Sequence, residues 1–144
     1  MPNPQDIVRQ FVANVNDAAN GGNVNPYALL APDVLVTING FTPLSGNYHG
    51  RSQVQHVLAD TLMERFSEAS VEIIETIGSG TRFAALGIIS GVGASGRKYN
   101  EKRDTDGFVF DVKDGKIIEA IEDMDTSLTQ CVIFDQNIVP RDSA

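Results

Sequence analysis

A single cysteine, two histidines and only eleven lysines and arginines limit what this chain of 144 residues is equipped to do. One cysteine forms no internal disulfide, and Cys131, His49 and His56 sit at unrelated positions that make no metal-ligand pattern. Cys131 reads as a small buried hydrophobe, and no metal is expected. Against the eleven bases stand nineteen acids, giving a net charge of −8. The densest basic group, Arg97-Lys98 with Lys102-Arg103, is interleaved with Glu101 and Asp104. Nucleic acid and anionic membrane both require clustered cations, so neither is an expected partner. Long apolar runs are missing too: residues 83–89 form the longest, far short of a bilayer span. The start, Met1-Pro2-Asn3-Pro4-Gln5-Asp6, lacks the basic and apolar segments of a signal peptide, so the expected location is the cytoplasm. No phosphate loop, dinucleotide fingerprint or nucleophile motif occurs, and no cofactor is expected.

What is present suffices for one core. The chain is 42% apolar, and no linker or shift of composition divides it. Asn3-Pro4 starts a helix, with Asn as cap, Pro at the first helical position and Asp6 near the positive end of the dipole. Ile7, Val8, Phe11, Val12, Val15, Ala18 and Ala19 share one helical face, and Gly21-Gly22 ends it. Asn25-Pro26 opens a short second helix closed by Pro32. Residues 34–38 read as a buried β-branched strand. The stretch 39–50 is irregular, with three Gly and one Pro, yet carries Phe41, Leu44 and Tyr48, so it should pack over something. Ser52 and Gln55 form a capping box for a third helix whose stripe is Val54, Val57, Leu58, Leu62 and Phe66.

Beyond residue 68 the period shifts towards two. Residues 71–77, 81–92 and 98–112 read as long strands, and 113–116 as a tight hairpin turn returning into 117–124. Gly87, Gly91 and Gly107 inside strands suggest bends or bulges. The apolar run 128–133 fits helix or strand. Helices first and antiparallel strands afterwards argue an α+β fold, with helices on one face of a curved sheet.

The order of these pieces carries a resemblance. A helix, a short second helix, Ala31-Pro32-Asp33-Val34, Thr42-Pro43-Leu44-Ser45-Gly46-Asn47-Tyr48-His49-Gly50-Arg51, Asp114-Gly115-Lys116-Ile117 and a closing Asp125 together resemble the SnoaL-like group of the nuclear transport factor 2-like (NTF2-like) superfamily. That group includes polyketide cyclases, ketosteroid isomerases and limonene-epoxide hydrolases, and also members without known chemistry. The likeness spans nearly the whole chain, so residues 1–144 are expected to form one such domain. It implies a cone-shaped fold, N-terminal helices on a strongly curved, mostly antiparallel sheet around an apolar pocket, often as a homodimer. Fold alone fixes no activity.

The last hairpin carries the chemistry. Side chains alternate along a strand, so equal parity means a shared face. Phe108, Phe110 and Val112 then share a side with Ile118, Ala120, Met124 and the acids Asp104, Asp106 and Glu122. The odd side holds Val109, Asp111, Ile117, Glu119, Ile121 and Asp123, a mixed set suited to partial exposure or a subunit contact. A carboxyl group on an apolar face is costly unless paired or protonated, and desolvation raises its proton affinity. Glu122 is thus the candidate acid–base residue, with Asp106 close across from it as partner. By the resemblance, Glu122 falls where SnoaL-like cyclases and epoxide hydrolases have a catalytic Asp. The competing arrangements are a bulge at Gly107, which flips Asp104 and Asp106 outward, and a solvated, idle Glu122 at the sheet's end.

Tyr48, His49, Phe108, Phe110 and Met124 are the expected substrate contacts, the first two from the loop before the third helix. Tyr27 reads as a core or capping aromatic, Asn39 as a turn residue, Asp125 as a cap for Thr126-Ser127-Leu128, and His56 as exposed. Residues 85–91 carry no charge where the epoxide hydrolases have an Arg-flanked acid, which argues against that mechanism. The expectation is a cofactor-free isomerase or cyclase acting on a small, mostly apolar carbonyl compound. A non-catalytic pocket protein and a subunit-contact module are the alternatives.

Overall fold

The structure, a computed structural model, describes residues 2–142; Met1, Ser143 and Ala144, the outermost residues of the expected single domain, lie outside the described residues. Asn3 accepts a hydrogen bond from the Asp6 N–H at 2.9 Å, and Pro4 takes the first helical position, where its missing N–H is no loss. Helix α1 (Pro4–Ala19) follows and buries Ile7, Val8 and Val12. Each such side chain contributes roughly 1.5–3 kcal/mol on full burial. Residues 26–29 form one tight turn capped by the Asn25 side chain, and β1 (Leu30–Ile38) begins directly afterwards, so Pro32 lies within the strand instead of closing a helix. It is accommodated where the pairing of β1 is irregular, between Leu30 and Leu35.

The 39–50 stretch ends in a short edge strand, β2 (Gly46–His49). Leu44 packs fully, at 1% exposure, and Tyr48 partly, but Phe41 stands 98% exposed. The expected Ser52/Gln55 capping box does not form. Gly50, at φ +87°, turns the chain into α2 (Arg51–Gln55), and Gln53 accepts from the His49 N–H. Arg51 anchors this turn by donating to the Leu30 carbonyl, at 3.0 Å through Nε. The helix then widens over residues 56–62 and tightens over 63–65, which brings Phe66 out of the helical stripe and into β3 (Phe66–Ile77).

β4 (Arg82–Gly93) pairs antiparallel with β3. The expected continuous strand 98–112 is two strands, β5 (Lys98–Tyr99) and β6 (Asp106–Lys113). Asn100 breaks it. At φ +58° and 6% exposure, its side chain donates to the carbonyls of Ile89 and Asp104 and accepts from the Asp104 N–H, all within 2.8–2.9 Å. Asn tolerates the left-handed region because its amide substitutes for backbone partners. β7 (Lys116–Asp123) completes the sheet, and residues 126–133 are helical turns, beginning with α3 (Thr126–Leu128).

The sheet order is β2-β1-β7-β6-β4-β3, with β5 paired to β4; only β1–β7 is parallel. Bulges sit on β3, at Ser67 and Ile74, not at Gly107, and they help curl the sheet around α1. Gly87 and Gly91 serve close approach instead. A Cβ on Gly91 would stand 2.1 Å from the Glu68 carbonyl oxygen, and one on Gly87 would stand 2.8 Å from the Phe108 ring. The principal core, built on Val8, Leu30, Val34, Val54, Phe83, Phe110 and Ile117, lies between α1, α2 and the concave face. The result is the α+β cone with a curled, mostly antiparallel sheet. No helix among the described residues is long and apolar enough to cross a membrane.

Candidate functional site

The β6–β7 hairpin decides where Glu122 points. Asp114 and Gly115, both at positive φ, make the two-residue turn between the paired Lys113 and Lys116. An unbroken ladder from that turn sets Glu122 opposite Gly107, on the outer face with Val109 and Asp111. Ile118 prevents this. Val112 pairs with Ile117 and Asp111 with Glu119, leaving Ile118 as an extra residue that shifts the register by one. Phe110 is then opposite Ala120, and Phe108 opposite Glu122, all facing the concave side. Simple parity misplaced two residues here: Ile117, expected outside, is fully buried in the core, and Ile118, expected inside, is the unpaired bulge residue.

Glu122 lines a cavity of about 170 Å³ whose other walls are apolar, among them Phe11, Leu58, Val71, Phe108, Phe110 and Met124. Among the described residues no hydrogen bond or ion pair reaches its carboxyl group. Burial in this apolar surrounding, reinforced by the negative charges of Asp106 and Asp123, raises its pKa from 4.5 to about 7.

Phe108 stands directly across from Glu122, and Asp106, expected close across from it, lies one same-face step further along β6. It belongs to a second cavity, of about 320 Å³, with Tyr99, Asn100, Asp104, Asp123 and Asp125. Met124 borders both cavities. Partial burial and the charge of Asp125 raise the pKa of Asp106 to about 6, although a hydrogen bond from the Asp125 backbone opposes the shift. The competing arrangement, a flip at Gly107, does not occur, because Gly107 pairs in register with both Asp123 and Leu86.

The remaining candidates divide. Phe108, Phe110 and Met124 line the Glu122 cavity, with Phe108 and Phe110 stacked at 5.8 Å. Tyr48 and His49 lie on β2, outside the residues that line either cavity. The Tyr48 hydroxyl donates to the Leu44 carbonyl, and His49 is exposed. Tyr27 is buried in the core, and His56 is exposed. Asp125 caps α3 by accepting from the Leu128 N–H at 3.0 Å. Asn39 does more than turn the chain: its N–H donates to the Glu122 carbonyl at 2.9 Å, and its amide donates to Asp123 at 3.0 Å. Arg103 pairs with Glu72. Cys131 is half-buried beside the second apolar cluster.

One residue at the site escaped the sequence reading. Tyr99, at 1% exposure, is walled in by Ile89, Val132 and Ile133, with its ring edge-on to Phe66 at 5.5 Å. Counting parity through a continuous 98–112 strand puts Tyr99 on the outer face. The break at Asn100 resets the count, and the positive-φ turn residues Asn100 and Arg103 are its cause.

The curled sheet, the apolar cavity and the half-buried acid on the last strand define a class. The SnoaL-like domain family profile matches residues 8–120, and the chain belongs to that family. Solved structures agree on the fold. An NTF2-like protein of unknown function from Burkholderia pseudomallei is 25% identical over 92% of this chain and 98% of its own, with a TM-score of 0.74. TerC, co-crystallized with polyporic acid, is 20% identical over 91% and 98%, with a TM-score of 0.70. A candidate polyketide cyclase from Sinorhizobium meliloti is 18% identical over 85% and 94%, with a TM-score of 0.58. No protein of curated function matches the sequence.

Proposed function

We propose that this protein is a cofactor-free isomerase- or cyclase-type enzyme that uses Glu122 for proton transfer on a small, mostly apolar carbonyl compound. The observation that carries this reading is a single carboxyl group, with a pKa of about 7, in an otherwise apolar cavity. At neutral pH both protonation states of Glu122 are populated, so it accepts a proton from carbon and returns it without a large loss in either direction. Asp106, with the lower pKa, is mostly ionised there, and its charge keeps the proton affinity of Glu122 high. Removal of a proton beside the carbonyl gives an enolate. Return of that proton to another carbon isomerises the compound; alternatively, attack of the enolate carbon on a second carbonyl of the same molecule closes a ring, and the resulting alkoxide takes the proton back from Glu122.

The fold supports the ligand size. A dry apolar cavity near 150 Å³ is known to hold a benzene ring, and this one is slightly larger. The direct test is exchange of α-protons of an aryl ketone for deuterium in D₂O, followed by NMR. The wild type is expected to accelerate exchange, and Glu122→Gln to abolish it with the fold intact. Exchange unchanged in Glu122→Gln removes the assignment. Ketone binding without exchange in the wild type supports the second reading, a pocket protein that carries an apolar metabolite, which the same cavity favours.

A homodimer through the outer face of the sheet belongs to this proposal. Val109 and Ile121 pair there, beside Arg82 bridging Asp111 and Glu119. Light scattering at micromolar concentration is expected to give twice the 15.5 kDa chain mass.

A further inference from the structure

The concave face of β4 carries Phe83, Ala85, Gly87 and Ile89 in turn, so its row of apolar side chains is interrupted once, at Gly87. The backbone there has no need of glycine. Its φ lies outside the left-handed region, and the residue pairs with Ile73 on one side and Asp106 on the other. What glycine supplies is space. A Cβ at this position would stand 2.8 Å from Cε2 of Phe108 and 3.5 Å from its Cδ2, so an edge of that ring occupies the place of the missing side chain. The other close neighbour, the Glu72 carbonyl oxygen at 3.2 Å, is a milder constraint that a shift of a few tenths of an ångström relieves.

Phe108 is the aromatic wall that faces Glu122 across the hairpin. Its ring lies nearly parallel to that of Phe110, at 8° and 5.8 Å between centroids, so Phe110 limits its movement along β6. A ring displaced from Gly87 therefore moves into the cavity, towards the carboxyl group. That cavity has little space to give up. At about 170 Å³ it is only slightly larger than the roughly 150 Å³ that holds one benzene ring.

We infer that Gly87 sets the size of the substrate: by letting the Phe108 ring lie back against β4, it leaves room beside Glu122 for one six-membered ring and no more. This rests on the reading of the Glu122 cavity as the substrate site, and it narrows the substrate class to a monocyclic aryl or cyclohexenyl ketone. Ketones on two fused rings are too large. Gly87 touches no ligand itself; it is a positioning residue that acts through Phe108.

The test measures the dissociation constants of acetophenone and 2-acetylnaphthalene by NMR titration of the whole protein, Gly87→Ala, Phe108→Leu and the double variant. The wild type is expected to prefer acetophenone by about tenfold or more, and Gly87→Ala to bind it about ten- to hundredfold more weakly, the scale of forcing one methyl group into a filled core. Phe108→Leu is expected to admit 2-acetylnaphthalene, about tenfold or more tighter than the wild type does. In that background the added methyl meets no ring. The double variant is therefore expected to match Phe108→Leu for acetophenone within about threefold, which also shows that Gly87→Ala keeps the fold. An undiminished affinity of Gly87→Ala, or a wild type that binds both ketones equally, overturns the assignment. So does a loss that persists in the double variant, since it passes through the Glu72 contact and not through Phe108. Binding without deuterium exchange removes the proton-transfer reading and leaves Gly87 in its role. If neither ketone binds the wild type, the cavity is no ligand site, and Gly87 falls with it.

Discussion

Phe108 and Glu122 face each other across the β6–β7 ladder, and that pairing puts the one carboxyl group of the apolar cavity against an aromatic side chain. Facing residues in such a pair bring their Cβ atoms within about 4.5–5.5 Å. Phe108→Ala is therefore expected to admit water to Glu122 and lower its pKa from about 7 towards 4.5, read by carboxyl ¹³C NMR against pH. The same change is expected to cost about 1–3 kcal/mol of stability, below the usual Phe→Ala range because Phe108 is only half-buried. An unmoved Glu122 titration contradicts desolvation as the main cause.

The raised pKa of Glu122 has a consequence for stability. Between about 4.5 and 7 the folded protein holds a proton that the unfolded chain has released. Stability then falls as pH rises through that window and levels off above it. Glu122→Gln carries no charge to bury. It is expected to match the wild type near pH 4 and to exceed it at pH 8 by about 1–3 kcal/mol in urea denaturation. A constant difference across pH excludes Glu122 as the source.

Asp106 is a neighbour whose charge acts on Glu122 from the adjoining cavity. Asp106→Asn is expected to move the titration of Glu122 down by a fraction of a unit to about one unit, a smaller shift than desolvation produces. The pH profile of ketone α-exchange is expected to move with it. A change in maximal exchange rate with no movement of the profile assigns Asp106 a direct role in the chemistry instead.

Asn100 holds the turn that separates Tyr99 from Asp106 through three side-chain hydrogen bonds. Asn100→Ala leaves the Asp104 N–H and two carbonyls without these partners and is strained at φ +58°. The expected cost is about 2–4 kcal/mol by thermal or urea unfolding. Hydrogen exchange is expected to rise most at residues 99–106.

Much of the fold was legible because its signals are local. The Asn3-Pro4 start, the apolar stripe of α1 and the Asp114-Gly115 turn each depend on a few neighbouring residues, and each appears as read. The breaks at Asn100 and Phe66 were not legible, since a left-handed turn and a widened helix are settled by tertiary partners such as the Ile89 carbonyl. Glu122 on an apolar face was readable from the alternation of residues 118–124, but its inward direction depends on the Ile118 bulge, which no local pattern announces. Tyr99 was hidden for a related reason: parity counted through a break assigns the wrong face.

The parallel pairing of β1 with β7 joins residues far apart in sequence. Ile38 lies beside Glu122, and Asn39 reaches Asp123 across 84 positions. Contacts of such separation form late, because closing a long loop is entropically unfavourable until other contacts reward it. Glu122 and Phe108 meet within a local hairpin, whereas β1, which supplies Leu30 and Val36 to the same cavity, is joined to it only through that long closure. Loosening the β1–β7 pairing is therefore expected to open the wall of the apolar cavity before it disturbs the β3–β4 and β6–β7 hairpins.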